Sequence, residues 1–136
     1  MNPKKLNRLV EIARALHEPD SDNRCYHITF VIKKKILSIG INSSKTHARS
    51  QDYSYQGRNG EDLRQVVGKH SELAAVIKMG YQESYEDFSF VNIRLGKTGK
   101  LLNSRPCIGC ASMLHQIKPK KVFYSTNEGT FEEFQY

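Results

Sequence analysis

The chain contains no run of the roughly 18–20 apolar residues that a membrane span requires, and its basic start, Met1-Asn2-Pro3-Lys4-Lys5, leads into no apolar stretch of the kind that directs secretion. These absences give the expectation of a cytoplasmic protein with no membrane partner. Cysteine is scarce: Cys25, Cys107 and Cys110 are an odd number and too few for a disulfide framework. There is no internal repeat and no low-complexity tract. Acidic residues are in deficit, 14 Asp and Glu against 21 Lys and Arg, which leaves a formal charge of +7 and a pI near 9.4. A positive balance of this size favours an anionic partner such as a nucleotide, a nucleic acid or an anionic surface.

What is present describes one ordinary globular unit. A length of 136 residues suits a single domain over 1–136, able to bury roughly two-thirds of the surface that the unfolded chain exposes. Hydrophobic residues make up 38%, aromatic 10% and charged 26%, which argues against disorder.

Periodicity orders the elements. Leu6, Leu9, Val10, Ala13 and Leu16 recur at three- and four-residue steps, predicting an amphipathic helix from Pro3 to His17 that ends near Pro19. Tyr26 to Lys33 and Ile36 to Ile41 are rich in β-branched residues around Lys33-Lys34-Lys35 and predict a hairpin. Ser43 to Lys69 is polar and interrupted by glycine, with room for a short helix at Leu63, Val66 and Val67, and is a candidate substrate loop. A buried helix is predicted from Ser71 to Met79 with Gly80 as its cap, a strand from Phe88 to Leu95, a turn from Gly96 to Lys100, a helix from Cys107 to Ile117 opened by Pro106, and a strand from Lys121 to Ser125. Phe131, Phe134 and Tyr136 form an apolar tail suited to the core or a partner. This alternation fits a layered α/β domain.

Two short segments carry the chemistry, His70-Ser71-Glu72 and Pro106-Cys107-Ile108-Gly109-Cys110, each at a predicted helix start. One imidazole and two thiolates make three ligands for tetrahedral zinc, leaving the fourth position for water, as a catalytic rather than structural site needs. A carboxylate two residues from the histidine can reach that water as general acid and base. The unpaired N–H groups and positive dipole ends of helix N-termini favour thiolate over thiol.

His70-Ser71-Glu72 followed by Pro106-Cys107-Ile108-Gly109-Cys110 resembles the H-x-E…P-C-x-x-C signature of the zinc-dependent cytidine deaminase superfamily. Ile39-Gly40-Ile41-Asn42, Ala111 and the strand Lys121-Val122-Phe123-Tyr124-Ser125 are similar to its pattern too, so that the likeness runs from about Tyr26 to Ser125. It implies a three-layer α/β fold with a mixed central sheet and helices on both faces. It also implies zinc held by His70, Cys107 and Cys110, Glu72 as the catalytic proton shuttle, and Asn42 against the sugar or base. Ser71, through the backbone near it, and Pro106 belong to the same substrate-binding set, and His47 just after Asn42 is a further candidate. Relatives often assemble as homo-oligomers. Ser71 stands where alanine is most often found, and the longer metal-binding insert of some deoxycytidylate deaminases is missing.

The residues leave alternatives open. Asn42 can instead cap the strand end or form an Asx-turn, Cys25 reads as a buried small hydrophobe, and His115 as a surface residue. Tyr53, Tyr55, Arg49 and Arg58 interleave aromatic and basic groups as a grip on a nucleotide or single strand would, or as a solvated loop would. Lys33-Lys34-Lys35 and the Lys118, Lys120, Lys121 cluster read first as solubility chemistry. Three functions follow: a deaminase of free cytosine nucleosides or nucleotides, a deaminase of cytosine or adenine in single-stranded DNA or RNA, and a non-catalytic zinc-stabilised binding module.

Overall fold

The computed structural model describes residues 1–17, 26–42 and 70–135. Cys25, the segment 43–69 with His47 and the aromatic and basic residues named above, and Tyr136 lie outside the described residues.

Helix α1 (Pro3–Leu16) starts where the Asn2 side chain accepts the Lys4 N–H at 2.8 Å, with Pro3 in the first turn, where no N–H is missed. Strands β1 (Tyr26–Ile32) and β2 (Ile36–Ile41) form the expected hairpin. Helix α2 (Ser71–Met79) ends at Gly80, whose φ of 71° suits glycine. Then come β3 (Ser89–Leu95), β4 (Leu101–Leu102), α3 (Ile108–Ile117), β5 (Lys121–Ser125) and β6 (Phe131–Glu133). The strands make one mixed sheet in the order β2-β1-β3-β5-β6, in which β3 runs parallel to β5 and antiparallel to β1, while β4 pairs with the end of β3. Strands β4 and β6 were not expected. The first spans two residues, too short for any alternation to register, and the second occupies the supposed apolar tail, with Phe134 buried and Phe131 partly buried on opposite sides.

Strand alternation sorts the side chains into two layers. Tyr26, Ile28, Phe30, Ile32, Val91, Ile93 and Leu95 face Leu9, Val10 and Ala13 of α1. Val31, Phe90, Val122 and Tyr124 point the other way, to Leu73, Val76, Met113 and Leu114 of α2 and α3. Phe30 and Phe90 are both fully buried, and such a side chain contributes about 2–3 kcal/mol of transfer free energy. Helices on both faces of a mixed sheet are the expected three layers. No helix among the described residues is long and apolar enough to cross a membrane.

The second face carries small and polar residues at one end: Ser38, Gly40, Thr29 and Asn92. Thr29 pairs with Gly40 on one side and Asn92 on the other, so the three form a row across β2, β1 and β3. The first turns of α2 sit on this row. A methyl group added at Gly40 would meet the Ser71 carbonyl oxygen and the Ala75 nitrogen, with the Ala75 Cα at 2.8 Å, and the Ser38 hydroxyl donates to the Ala75 carbonyl at 2.8 Å. Because the obstacle is backbone, Gly40→Ala is expected to lower stability by about 3 kcal/mol or more in chemical denaturation. In Gly96→Ala the new methyl meets the Leu102 side chain at 3.3 Å and the Lys100 carbonyl oxygen at an ordinary 3.8 Å, and the loss should stay within about 1 kcal/mol. Equal losses would show that the helix backbone yields.

Lys33, Lys34 and Lys35, and Lys118, Lys120 and Lys121, are exposed and converge at one end of the sheet, since Ile32 pairs with Ser89 and Ser89 with Lys121. The helix starts that bear His70 and Cys107 lie at the other.

Candidate metal centre and active site

Two helix N-termini meet above the sheet. His70 is the N-cap of α2 and has no side-chain capping bond, so its ring is available to its neighbours across the gap. Cys107 is the N-cap of α3, and its sulfur accepts the Cys110 N–H at 3.4 Å. The approach to Cys107 is stitched down by two serines. The Ser104 hydroxyl donates to the Asn92 carbonyl at 2.7 Å and the Ser125 hydroxyl to the Leu102 carbonyl at 2.7 Å, while the Ser125 N–H donates to the Ser104 hydroxyl at 2.8 Å. These bonds tie the chain ahead of α3 to β3 and β5 with its buried polar groups satisfied.

His70 Nδ1 lies 3.3 Å from the sulfurs of both Cys107 and Cys110, and the three ligand atoms fall within 4.8 Å of one another. Ordinary zinc bond lengths at tetrahedral angles put nitrogen and sulfur about 3.6 Å apart, so each nitrogen–sulfur pair would open only slightly around the ion. The donor set, one imidazole and two thiols, also suits zinc. Glu72 follows in the first turn of α2, 6% exposed, its Oε1 accepting from the Ser71 hydroxyl at 3.0 Å.

The electrostatics are those of a set of groups built to share a positive centre. The hydrogen bond from Cys110 pulls the Cys107 thiol down to about 4, helped by His70 and the Cys110 N–H against the cost of burial. Cys110 is held well above the usual thiol range because Cys107 takes its proton in that bond and burial adds to it. One thiolate is thus preformed, and a metal would claim the second thiol's proton. The hydrogen bond to Cys107 raises His70. Burial raises Glu72, with the Cys107 charge adding to it.

Among the described residues, a cavity of about 330 Å³ opens here, lined by His27, Asn42, His70, Ser71, Glu72, Ser104, Arg105 and Cys107. Asn42 is at its wall, and it also closes the hairpin: its Oδ1 accepts the His27 N–H at 3.1 Å and its own N–H donates to the His27 carbonyl at 3.2 Å. The strand-end reading of Asn42 is what these bonds show. Ser71 lines the cavity while its hydroxyl faces inward, and Pro106 is buried ahead of α3. His115 is exposed on α3, as expected.

His27, Ser104 and Arg105 were missed from sequence. For His27 a signal existed: β1 alternates, so His27 shares the face of Thr29 and Val31 and must meet α2 rather than α1. Burial lowers His27 to about 4, with Arg94 and His70 adding repulsion and Cys107 opposing. A histidine that folds with a depressed pKa costs stability in acid: below 6.5 the unfolded chain takes up a proton that the native site refuses until about 4. Wild type should therefore lose on the order of 2–3 kcal/mol more than His27→Gln between pH 6.5 and pH 4, read from denaturation midpoints. Parallel curves for the two proteins would exclude this role.

The mixed sheet with helices on both faces defines a layered α/β fold, and that fold is matched by solved structures of a dCMP deaminase. Among the solved structures it matches are two of the dCMP deaminase from the cyanophage S-TIM5. The complex with dCMP and dUMP has a TM-score of 0.56 and 23% identity over 91% of this chain and 82% of that one. The apo form has a TM-score of 0.54 and 21% identity over 91% and 84%. No family model matches the sequence, and no curated protein matches it significantly.

Proposed function

We propose that this protein is a zinc-dependent hydrolytic deaminase of cytosine-type nucleosides or nucleotides, converting the cytosine ring to uracil with release of ammonia. The observation that carries the reading is the placement of a buried carboxylate, Glu72, beside three clustered zinc-type donors at the wall of a cavity. A structural zinc site has no use for a buried acid at that point, and burying one costs several kcal/mol.

His70, Cys107 and Cys110 would hold the ion, which when bound would supply Lewis acidity to activate water. The rest falls to the chain. Glu72 takes one proton from water and delivers it to the ring nitrogen, then carries the second from the added hydroxyl to the departing amine, and burial, which raises its affinity for a proton, suits it to holding each in turn. Asn42, fixed on β1 by its bonds to His27, orients the sugar or base. Arg105, on the cavity wall and with its guanidinium 5.5 Å from the Phe134 ring centre, is a cation suited to a phosphate. The cyanophage deaminase complexed with dCMP and dUMP supports a monophosphate as the substrate form.

The test is turnover by zinc-loaded protein on cytidine, deoxycytidine, their monophosphates, adenosine and cytosine-containing oligonucleotides, followed by ammonia release. Turnover of the cytosine monomers is expected. Activity confined to oligonucleotides would replace this reading by a polynucleotide deaminase, and zinc binding without any turnover would leave a binding module.

A further inference from the structure

Ser71 sits between a metal-type ligand and an acid, where alanine would fill the space in most proteins with this signature, and the structure shows what its hydroxyl does. The Ser71 Oγ lies 3.0 Å from Glu72 Oε1 and 2.8 Å from Thr29 Oγ1, and Thr29 Oγ1 lies 2.8 Å from the Asn92 side-chain oxygen position. All four residues are at most 6% exposed, so water does not compete for these groups. Gly40 makes the contact with Thr29 reachable: without a side chain there, the first turn of α2 descends onto the sheet.

The count of hydrogens gives this chain a direction. Three contacts need three hydrogens, and two hydroxyls bring two. When Glu72 is ionised, the third can come only from Asn92, whose amide oxygen and nitrogen are interchangeable by a half-turn of the side chain. The order is then Asn92 NH2 to Thr29, Thr29 to Ser71, and Ser71 to Glu72, each group donating once along the line. We infer that Ser71 is a positioning residue for Glu72, anchored through Thr29 to Asn92 in the central strand, which fixes one carboxyl oxygen of an acid that lines the cavity. The inference rests on the deaminase reading for its catalytic consequence, though not for its geometry.

The test combines kinetics with structure. A hydrogen bond to a charged group is worth enough that Ser71→Ala should lower kcat about ten- to a hundredfold with KM nearly unchanged. Thr29→Val, which keeps the shape and removes the hydroxyl, should lower kcat in the same sense, whereas Thr29→Ser keeps the hydroxyl and should restore it to within about twofold. A structural role alone would not separate valine from serine in this way. Independently of turnover, crystal structures of wild type and Ser71→Ala should show the Glu72 carboxyl in one conformer in the first and displaced or multiple in the second, with His70, Cys107 and Cys110 unmoved. An unchanged Glu72 conformer with unchanged kcat overturns the inference while leaving the deaminase reading standing. Wild type without activity overturns the deaminase reading, and the conformer comparison then still decides the role of Ser71.

Discussion

Glu72→Gln is expected to lower turnover by about 10³-fold or more while zinc content stays at that of the wild type. The size follows from the work assigned to the carboxyl. General acid–base catalysis by one group contributes about 10²–10⁴-fold, and Glu72 is the acid on the cavity wall among the described residues. Glutamine keeps the volume and can still bond to Ser71, so the buried site loses its proton carrier with little change in packing. Removing a buried acid that is unusually hard to ionise should not destabilise the fold either, and the thermal midpoint is expected to remain level or to rise. The checks are ammonia release, metal analysis and a melting curve on one preparation. Activity within tenfold of wild type would take the proton-shuttle role away from Glu72.

Loss of a ligand should act on metal and activity together. His70→Ala or Cys110→Ser, dialysed against a mild chelator, is expected to fall from about one zinc per chain to well below it, and turnover should fall with it. The geometry makes the three candidate donors interdependent, since His70 Nδ1 is equidistant from both sulfurs and Cys107 rests on the Cys110 N–H. Because a metal that binds only the native state adds RT ln(1 + [L]/Kd), zinc at a thousandfold excess over its Kd should raise wild-type stability by about 4 kcal/mol and leave the variants almost unmoved. Affinity should weaken as pH falls, because His70 holds its proton more tightly than an ordinary histidine and zinc must displace it. Full zinc retention in both variants would remove the metal centre.

The parts of this site that could be read from sequence are those whose chemistry is local. His70 with Glu72, and Cys107 with Cys110, announce themselves by residue type and spacing at helix starts, and the structure brings the three donors together. Helix and strand limits were readable to within a residue or two for the same reason, because the apolar steps of α1, β1 and α2 are strong. What could not be read depends on register. Thr29, Gly40 and Asn92 are distant in the chain and become one row only when β2, β1 and β3 pair as they do. Ser104 and Ser125 meet because β5 lies parallel to β3, a crossover that no local pattern encodes. Ser71 looked like a small residue replacing a small one until its hydroxyl found Thr29.

The lysines at the far end of the sheet bear on how the positive charge is used. Lys118 caps the C-terminal end of α3 and Cys107 its N-terminal end, so the helix holds them about 16 Å apart at ~1.5 Å per residue. The Debye length at physiological ionic strength is about 8 Å, so the attraction exerted by Lys118 is damped through about two screening lengths before it reaches Cys107. Among the described residues these two lysine clusters lie away from the mouth of the cavity, and their pull on a small anion there is weakened by that screening. A phosphate bound at the mouth, as the proposed function requires, would have Arg105 on the cavity wall as its nearer cation.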